Sequence, residues 1–303
     1  MPTPYARPFA QIDVFTTTAT LGNPVAVVLD GTGLDDAAMQ RFARWTNLSE
    51  TTFVLPPTDA AADYQLRIFT PGGELPFAGH PTLGSCFAWL AAGGQPQAAD
   101  RIVQQCARGL VTIRQDGPRL AFAAPPIQAS ALAPAALADV AAALGIKPAQ
   151  IQQARLLDNG PQWLGLWLDS ADTVLALEPD HAGLAGLGQK VGVAGRHQAP
   201  FAASLIAKSS REARAFGSAS DAPLIEVRAF AAPIGVPEDP VTGSLNASLA
   251  QWLMEAGALP ARYVAAQGTA LGRAGRVHVE RDAAGQVWVG GDCVRCISGE
   301  VVL

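Results

Sequence analysis

Hydrophobic and polar positions alternate in short runs along most of the chain, broken by proline and glycine, and only a few stretches carry helical spacing. Residues 9–15 and 23–29 read as strands on either side of a Thr-rich turn ending in Gly22, because β-branched and aromatic side chains dominate both. At residues 34–45, Met39, Phe42 and Ala43 recur every three to four positions. That spacing predicts a helix with one buried stripe, capped by Asp35 or Asp36. Strands follow at 51–55 and 64–70, the second with Tyr64, Leu66 and Ile68 on one face and polar neighbours on the other. Pro81 opens a helix predicted to run to residue 92, where Gly93 and Gly94 stop it.

The pattern changes at Pro125-Pro126, and an Ala-rich helix predicted over 134–144 opens a second domain. Its strands are expected at 163–168, 201–208, 225–230, 276–280 and 287–289, with a central helix from Pro240 to residue 255, ended by Gly257. The division is therefore 1–126 and 127–303, with the last strand placed to pack on the first domain.

A length of 303 residues suits two domains, and 49% hydrophobic against 16% charged residues supports packed cores. A net charge of −5 without basic runs argues against nucleic acid and against an anionic membrane as partners. All but three of the 21 basic residues are arginine, the exceptions being Lys147, Lys190 and Lys208, which reads as codon preference. No apolar run reaches the roughly 18 residues of a membrane span, and the start of the chain has no apolar signal core, so a cytoplasmic location and reduced cysteines are expected.

An internal echo bears on the chemistry. Arg67-Ile68-Phe69, a Pro/Gly loop, then His80-Pro81-Thr82-Leu83-Gly84-Ser85 and a helix resembles Arg228-Ala229-Phe230, a loop, then Asp239-Pro240-Val241-Thr242-Gly243-Ser244 and a helix. Two versions of one unit, related by a pseudo-two-fold axis, would turn both helix N-termini toward a shared cleft. Free N–H groups there suit a carboxylate ligand, Gly79 and Gly243 allow close backbone approach, and Thr82, Ser85, Thr242 and Ser244 supply hydroxyls. Glu50 enters an apolar strand, where partial desolvation would raise its pKa and suit it to proton transfer. His80 can donate to a substrate or act as acid and base, and Asp239 can hold an ammonium or polarise a donor. All of these residue types also serve as plain caps and turns. Cys293-Val294-Arg295-Cys296 has no second pair to complete a zinc site, and His181, His197 and His278 do not cluster with carboxylates, so no metal is expected. Nucleotide-binding glycine loops are absent.

Taken in order, Asp13 to Thr16, Gly22-Asn23-Pro24, Asn47 to Phe53, Phe69-Thr70-Pro71, Pro76 to Gly84, Asp239 to Ser244 and Gln267-Gly268 resemble the PhzF family, within the diaminopimelate-epimerase-like fold. The resemblance implies an α+β fold of two similar domains, each a curved, mostly antiparallel sheet wrapped around a central helix. It also implies a site between the domains, a homodimer, no cofactor, and an isomerase acting on a small cyclic carboxylate-bearing amino acid such as trans-2,3-dihydro-3-hydroxyanthranilate. On that reading Glu50 is the general base and acid, His80 and Asp239 are the polar pair that orients substrate, and Gly243-Ser244 is the substrate-binding helix start. In the related epimerases two cysteines flank the substrate carbon; here Gly79 and Asp239 stand nearest those positions. Two alternatives remain at this level: an amino-acid epimerase or racemase without the cysteine pair, and a non-catalytic protein that binds small carboxylates.

Overall fold

The computed structural model describes residues 5–198 and 222–303, so the strand expected at 201–208 lies outside the described residues. The first half begins with β1 (Ala6–Val14) and β2 (Asn23–Val28), antiparallel with Val14 opposite Asn23. Helix α1 (Asp36–Thr46) follows; Asp35 caps it by accepting from the Ala38 N–H at 2.7 Å, and its buried residues are the expected Met39, Phe42 and Ala43. The remainder is β3 (Glu50–Leu55), β4 (Tyr64–Thr70), β5 (Gly73–Leu75), α2 (Gly79–Ala91), β6 (Ile102–Cys106), β7 (Gly109–Asp116) and β8 (Arg119–Ala123).

The second half repeats this order. It runs β9 (Gln128–Ser130), α3 (Pro134–Leu144), β10 (Ile151–Asp158), β11 (Gln162–Leu168), α4 (Ala171–Leu175), α5 (His181–Gly186), β12 (Val191–Arg196), β13 (Ile225–Ala231) and β14 (Val236–Asp239). It then continues with α6 (Gly243–Glu255), β15 (Arg262–Gln267), β16 (Gly275–Arg281), β17 (Val287–Gly291) and β18 (Cys293–Val302). Neighbouring strands are β1-β2-β3-β4-β6-β7-β8 in one half and β10-β11-β12-β13-β15-β16-β17 in the other. Parallel pairs fall at matching places, β2/β3 and β4/β6 against β11/β12 and β13/β15, and the other pairs among the described strands are antiparallel. The fold is the expected α+β arrangement of mostly antiparallel sheets.

The two sheets join where β8 pairs with β17, Leu120 opposite Gly291 and Phe122 opposite Val289. Gly290 permits that seam, because a Cβ there would lie 2.4 Å from the Leu120 carbonyl oxygen. One strand crosses between halves: β18 leaves the second to pair with β1, the place that β9 takes beside β10 within the second half. Each sheet curves around its own helix. Helices α2 and α6 are buried nearly all round, residues 79–86 of α2 and 245–250 of α6 without a break, as expected of a helix surrounded by sheet rather than laid upon one. Outside the sheets, α1 covers β2 to β4 through Met39, Phe42, Phe53 and Phe69, and α3, α4 and α5 cover the second half around Leu144, Val174, Leu184 and Phe230.

Paired ion bridges fix the register of the repeat. Arg67 makes a two-pronged bridge to Glu74 across the β4–β5 hairpin, at 2.8 and 2.6 Å, and Arg228 makes the same bridge to Glu238 across β13–β14, at 3.0 and 2.8 Å. Both guanidinium groups lie 5.1 Å from a ring two residues on, Phe69 and Phe230. From either glutamate the helix starts five residues later, at Gly79 and at Gly243. The counterpart of His80 is therefore Ser244, not Asp239, which corrects the alignment read from the sequence. The same finding corrects the helix start: Pro240 lies outside α6, because Asp239 still pairs in β14 with Ala229 and the Thr242 N–H is taken by the Gln267 side chain.

Candidate active site

The two central helices meet end to end. A Cβ on Gly243 would lie 3.2 Å from the His80 nitrogen and 3.3 Å from the Gly79 Cα, so only glycine lets the first turns approach this closely. On the other side of α2, a Cβ on Gly79 would lie 2.4 Å from the ring of Phe122. Neither helix has a side-chain cap: Ala78 offers none, and the Thr242 hydroxyl turns away to Asp239. First-turn N–H groups of both helices are left to face a ligand.

Glu50 opens β3, next to Val25 of β2, and its side chain remains 17% exposed. Its Oε2 lies 3.0 Å from Nδ1 of buried His80, and Nε2 of the same ring lies 3.0 Å from the backbone oxygen of Asn23. A carbonyl only accepts, so Nε2 carries a proton, and the mobile proton of the pair sits between Nδ1 and Oε2. Burial pulls the imidazole pKa down, but the hydrogen bond and charge of Glu50, with Asp239 and the Asn23 carbonyl, more than reverse it, leaving it above the ordinary histidine value.

Asn23 carries the network across to the second half. Its Nδ2 donates to the Val241 carbonyl at 2.9 Å, which fixes the amide's orientation, and to Asp239 Oδ1 at 3.0 Å. Gln267 is oriented likewise, because its Oε1 accepts from the Thr242 N–H at 3.0 Å and from Asn246 Nδ2 at 2.8 Å. Its Nε2 therefore donates to the Thr242 hydroxyl at 3.0 Å, and that hydroxyl donates to Asp239 Oδ2 at 2.6 Å. Both Asp239 oxygens accept, an arrangement that suits the carboxylate; burial and the neighbouring charge of Glu50 nevertheless push its pKa up to about 6. Ser244 Oγ accepts from the Trp163 indole N–H at 3.1 Å, which leaves its own proton to donate.

Glu50, His80, Gly79, Asp239, Thr242, Gly243 and Ser244 thus gather around the meeting helix ends. Thr82 does not join them: it is wholly buried and its hydroxyl accepts from Gln104 of β6 at 3.0 Å. Ser85 is likewise turned inward, onto Thr52 at 2.8 Å. Asn23 and Gln267 are the members that sequence reasoning gave no role. Their signal was a polar residue beside a glycine at a strand end, Gly22-Asn23 and Gln267-Gly268. Cys293 and Cys296 are free thiols on β18, and no group of three or more His, Cys, Asp or Glu is gathered for a metal among the described residues. No helix among the described residues is long and apolar enough to cross a membrane.

Pseudo-symmetric halves whose central helices meet end to end beside a carboxylate–imidazole pair make up the epimerase-like fold, and the family and relatives that follow make the protein an isomerase. Residues 12–299 match the family described as Phenazine biosynthesis-like protein (PhzC-PhzF), and the chain belongs to it. It is 37% identical to the Antisense-enhancing sequence 1 protein of Schizosaccharomyces pombe over 96% of this chain and 97% of that one. It is 33% identical to the trans-2,3-dihydro-3-hydroxyanthranilate isomerase of Pseudomonas aeruginosa over 92% of this chain and 91% of that one. The crystal structure of a PhzF-family phenazine biosynthesis protein from Bacillus anthracis shares the fold at a TM-score of 0.79, with 20% identity, covering 99% of this chain and 100% of that one.

Proposed function

We infer that the protein shifts a proton along a small conjugated cyclic carboxylate of the trans-2,3-dihydro-3-hydroxyanthranilate type, without a cofactor, using Glu50 as base and then as acid. The observation that carries this reading is the 3.0 Å contact between Glu50 and a histidine whose second nitrogen is locked as a donor, placed where two uncapped helix ends meet. As carboxylate, Glu50 removes a proton from a ring carbon while the electron pair moves into the conjugated system. As carboxylic acid, it returns a proton to a second ring carbon on the same face, so one proton leaves and one arrives with no redox change. His80 steadies the carboxylate through the shared Nδ1–H, and the first-turn N–H groups of α6 with the Ser244 hydroxyl receive the substrate's own carboxylate. Asp239, held by Asn23 and Thr242, orients the polar end of the ring.

In this reading residues 1–126 and 127–303 are the two domains, and the working form is a cytoplasmic homodimer. The outer edge of β18, unpaired among the described strands and exposing Ile297 and Val302, is a run that a second copy can cover. The test is incubation with trans-2,3-dihydro-3-hydroxyanthranilate in D₂O, followed by NMR beside Glu50→Gln. Turnover that the variant abolishes, with ligand affinity kept within a few-fold, supports the general-base role. Equal losses of affinity and rate in the variant refute it.

A further inference from the structure

The wall opposite Glu50 carries a cation that the mechanism above does not use. Lys190 immediately precedes β12 as Glu50 opens β3, and β12 runs parallel beside β11 as β3 does beside β2, so the repeat sets the two on matching sides of the meeting helix ends. Its Nζ lies 4.7 Å from the ring centroid of Trp163, whose indole N–H holds the Ser244 hydroxyl. The nearby acids already have partners. Asp158 accepts from the Gly160 N–H at 2.9 Å and from Gln162 at 3.0 Å, and Asp239 accepts from Asn23 and Thr242. The ammonium itself makes no ion pair or hydrogen bond among the described residues, although it is half-buried. Stacking on an indole holds a cation without neutralising it, which leaves the charge for an incoming anion.

We propose that Lys190 is a substrate-positioning residue that pairs with the carboxylate of the ligand beside the start of α6, and so decides which end of the ring faces Glu50. The proposal rests on the reading of this site as one for small cyclic carboxylates and adds the group that selects them. Burial holds the free ammonium below the ordinary lysine pKa against the charges of Asp239 and Asp158, so a bound carboxylate returns it upward.

The test uses the intact protein with anthranilate, its uncharged carboxamide and acetate as probes. Lysine side-chain NMR is practicable because the chain has only Lys147, Lys190 and Lys208, and the Lys190 signal is assigned by elimination with Lys147→Arg and Lys208→Arg. Anthranilate is expected to move that signal and raise its titration midpoint. Lys190→Met should weaken anthranilate about tenfold or more while leaving the carboxamide unchanged, and Lys190→Arg should restore most of the loss. A Lys190 signal unmoved by anthranilate and acetate overturns the proposal, as does a Lys190→Met variant that binds anthranilate normally or weakens both probes equally. A Lys190 response without any turnover of trans-2,3-dihydro-3-hydroxyanthranilate supports the carboxylate site and refutes the proposed substrate instead.

Discussion

Gly243→Ala separates the geometry of the helix ends from the stability of the fold. The added methyl would stand 3.2 Å from the His80 nitrogen and 3.3 Å from the Gly79 Cα, both backbone atoms, so the first turns must part by a few tenths of an ångström. Overpacking of this size costs about 1 kcal/mol, and replacing glycine by alanine in a helix returns up to about the same amount. Net stability should therefore change by less than about 1 kcal/mol, a shift of the thermal midpoint of no more than about 3 °C for a chain of this size. Catalysis has no such compensation. A shift of roughly 0.4 Å between His80 and Glu50 stretches a bond of 3.0 Å to the edge of useful length, and at about 100-fold per ångström of misplacement this predicts a five- to tenfold fall in kcat/KM. The assay is the D₂O turnover measurement run beside thermal unfolding. Wild-type kcat/KM in the alanine variant refutes the argument that the contact between helix ends sets the catalytic geometry. Gly243→Val adds a branch at the helix mouth and should raise KM as well.

Other outcomes follow from the same contacts. Gly79→Ala drives a methyl to 2.4 Å from the buried Phe122 ring, which also packs edge-on to Phe77, and should cost about 1–3 kcal/mol in urea unfolding. The equivalent ion pairs of the repeat should differ in value: Arg228 and Glu238 are only 6% and 5% exposed, so Arg228→Met should cost about 3 kcal/mol or more by stranding a buried carboxylate. Arg67→Met, in the 22% and 35% exposed pair with Glu74, should cost no more than about 1 kcal/mol. Asp239 and His80 both hold protons more tightly when folded than when unfolded, so their contribution to stability is full below the unfolded values, near 4 for the acid and 6.5 for the imidazole. It is lost as pH rises through the folded values, about 6 for Asp239; Asp239→Asn should flatten this decline between pH 4 and 7 and lower the His80 titration midpoint, read by NMR.

What the sequence revealed depended on whether local pattern or distant partners decided the outcome. Strand β4 was legible because its core face is an unbroken alternation, and α1 because its stripe and its cap both lie within the helix. The start of α6 was not, since Pro240 looks like a first-turn proline while the extended path through Thr242 is held by Gln267, 25 residues away. The repeat was recognised but misaligned: the similar strings at His80 and Asp239 drew attention from Arg67–Glu74 and Arg228–Glu238, whose loops differ in length. Glu50, His80 and Asp239 were found by residue type and family likeness, whereas Asn23 and Gln267 matter through buried hydrogen bonds that no spacing rule reports. Codon preference accounts for the scarcity of lysine but not for the place of Lys190, which only the repeat and the ring of Trp163 bring to the helix ends.

Strand β18, from the far end of the chain, is the missing edge of the first half, whereas the second half carries its own counterpart in β9. A chain cut after residue 126 would leave the first fragment without the strand that covers β1 and the second with a long strand that has lost its partner, so neither is a finished folding unit. The helix ends come together only when the first sheet has accepted that strand. Assembly of the core and assembly of the catalytic groups are therefore one cooperative event, and no partly folded form of this protein should carry half an active site.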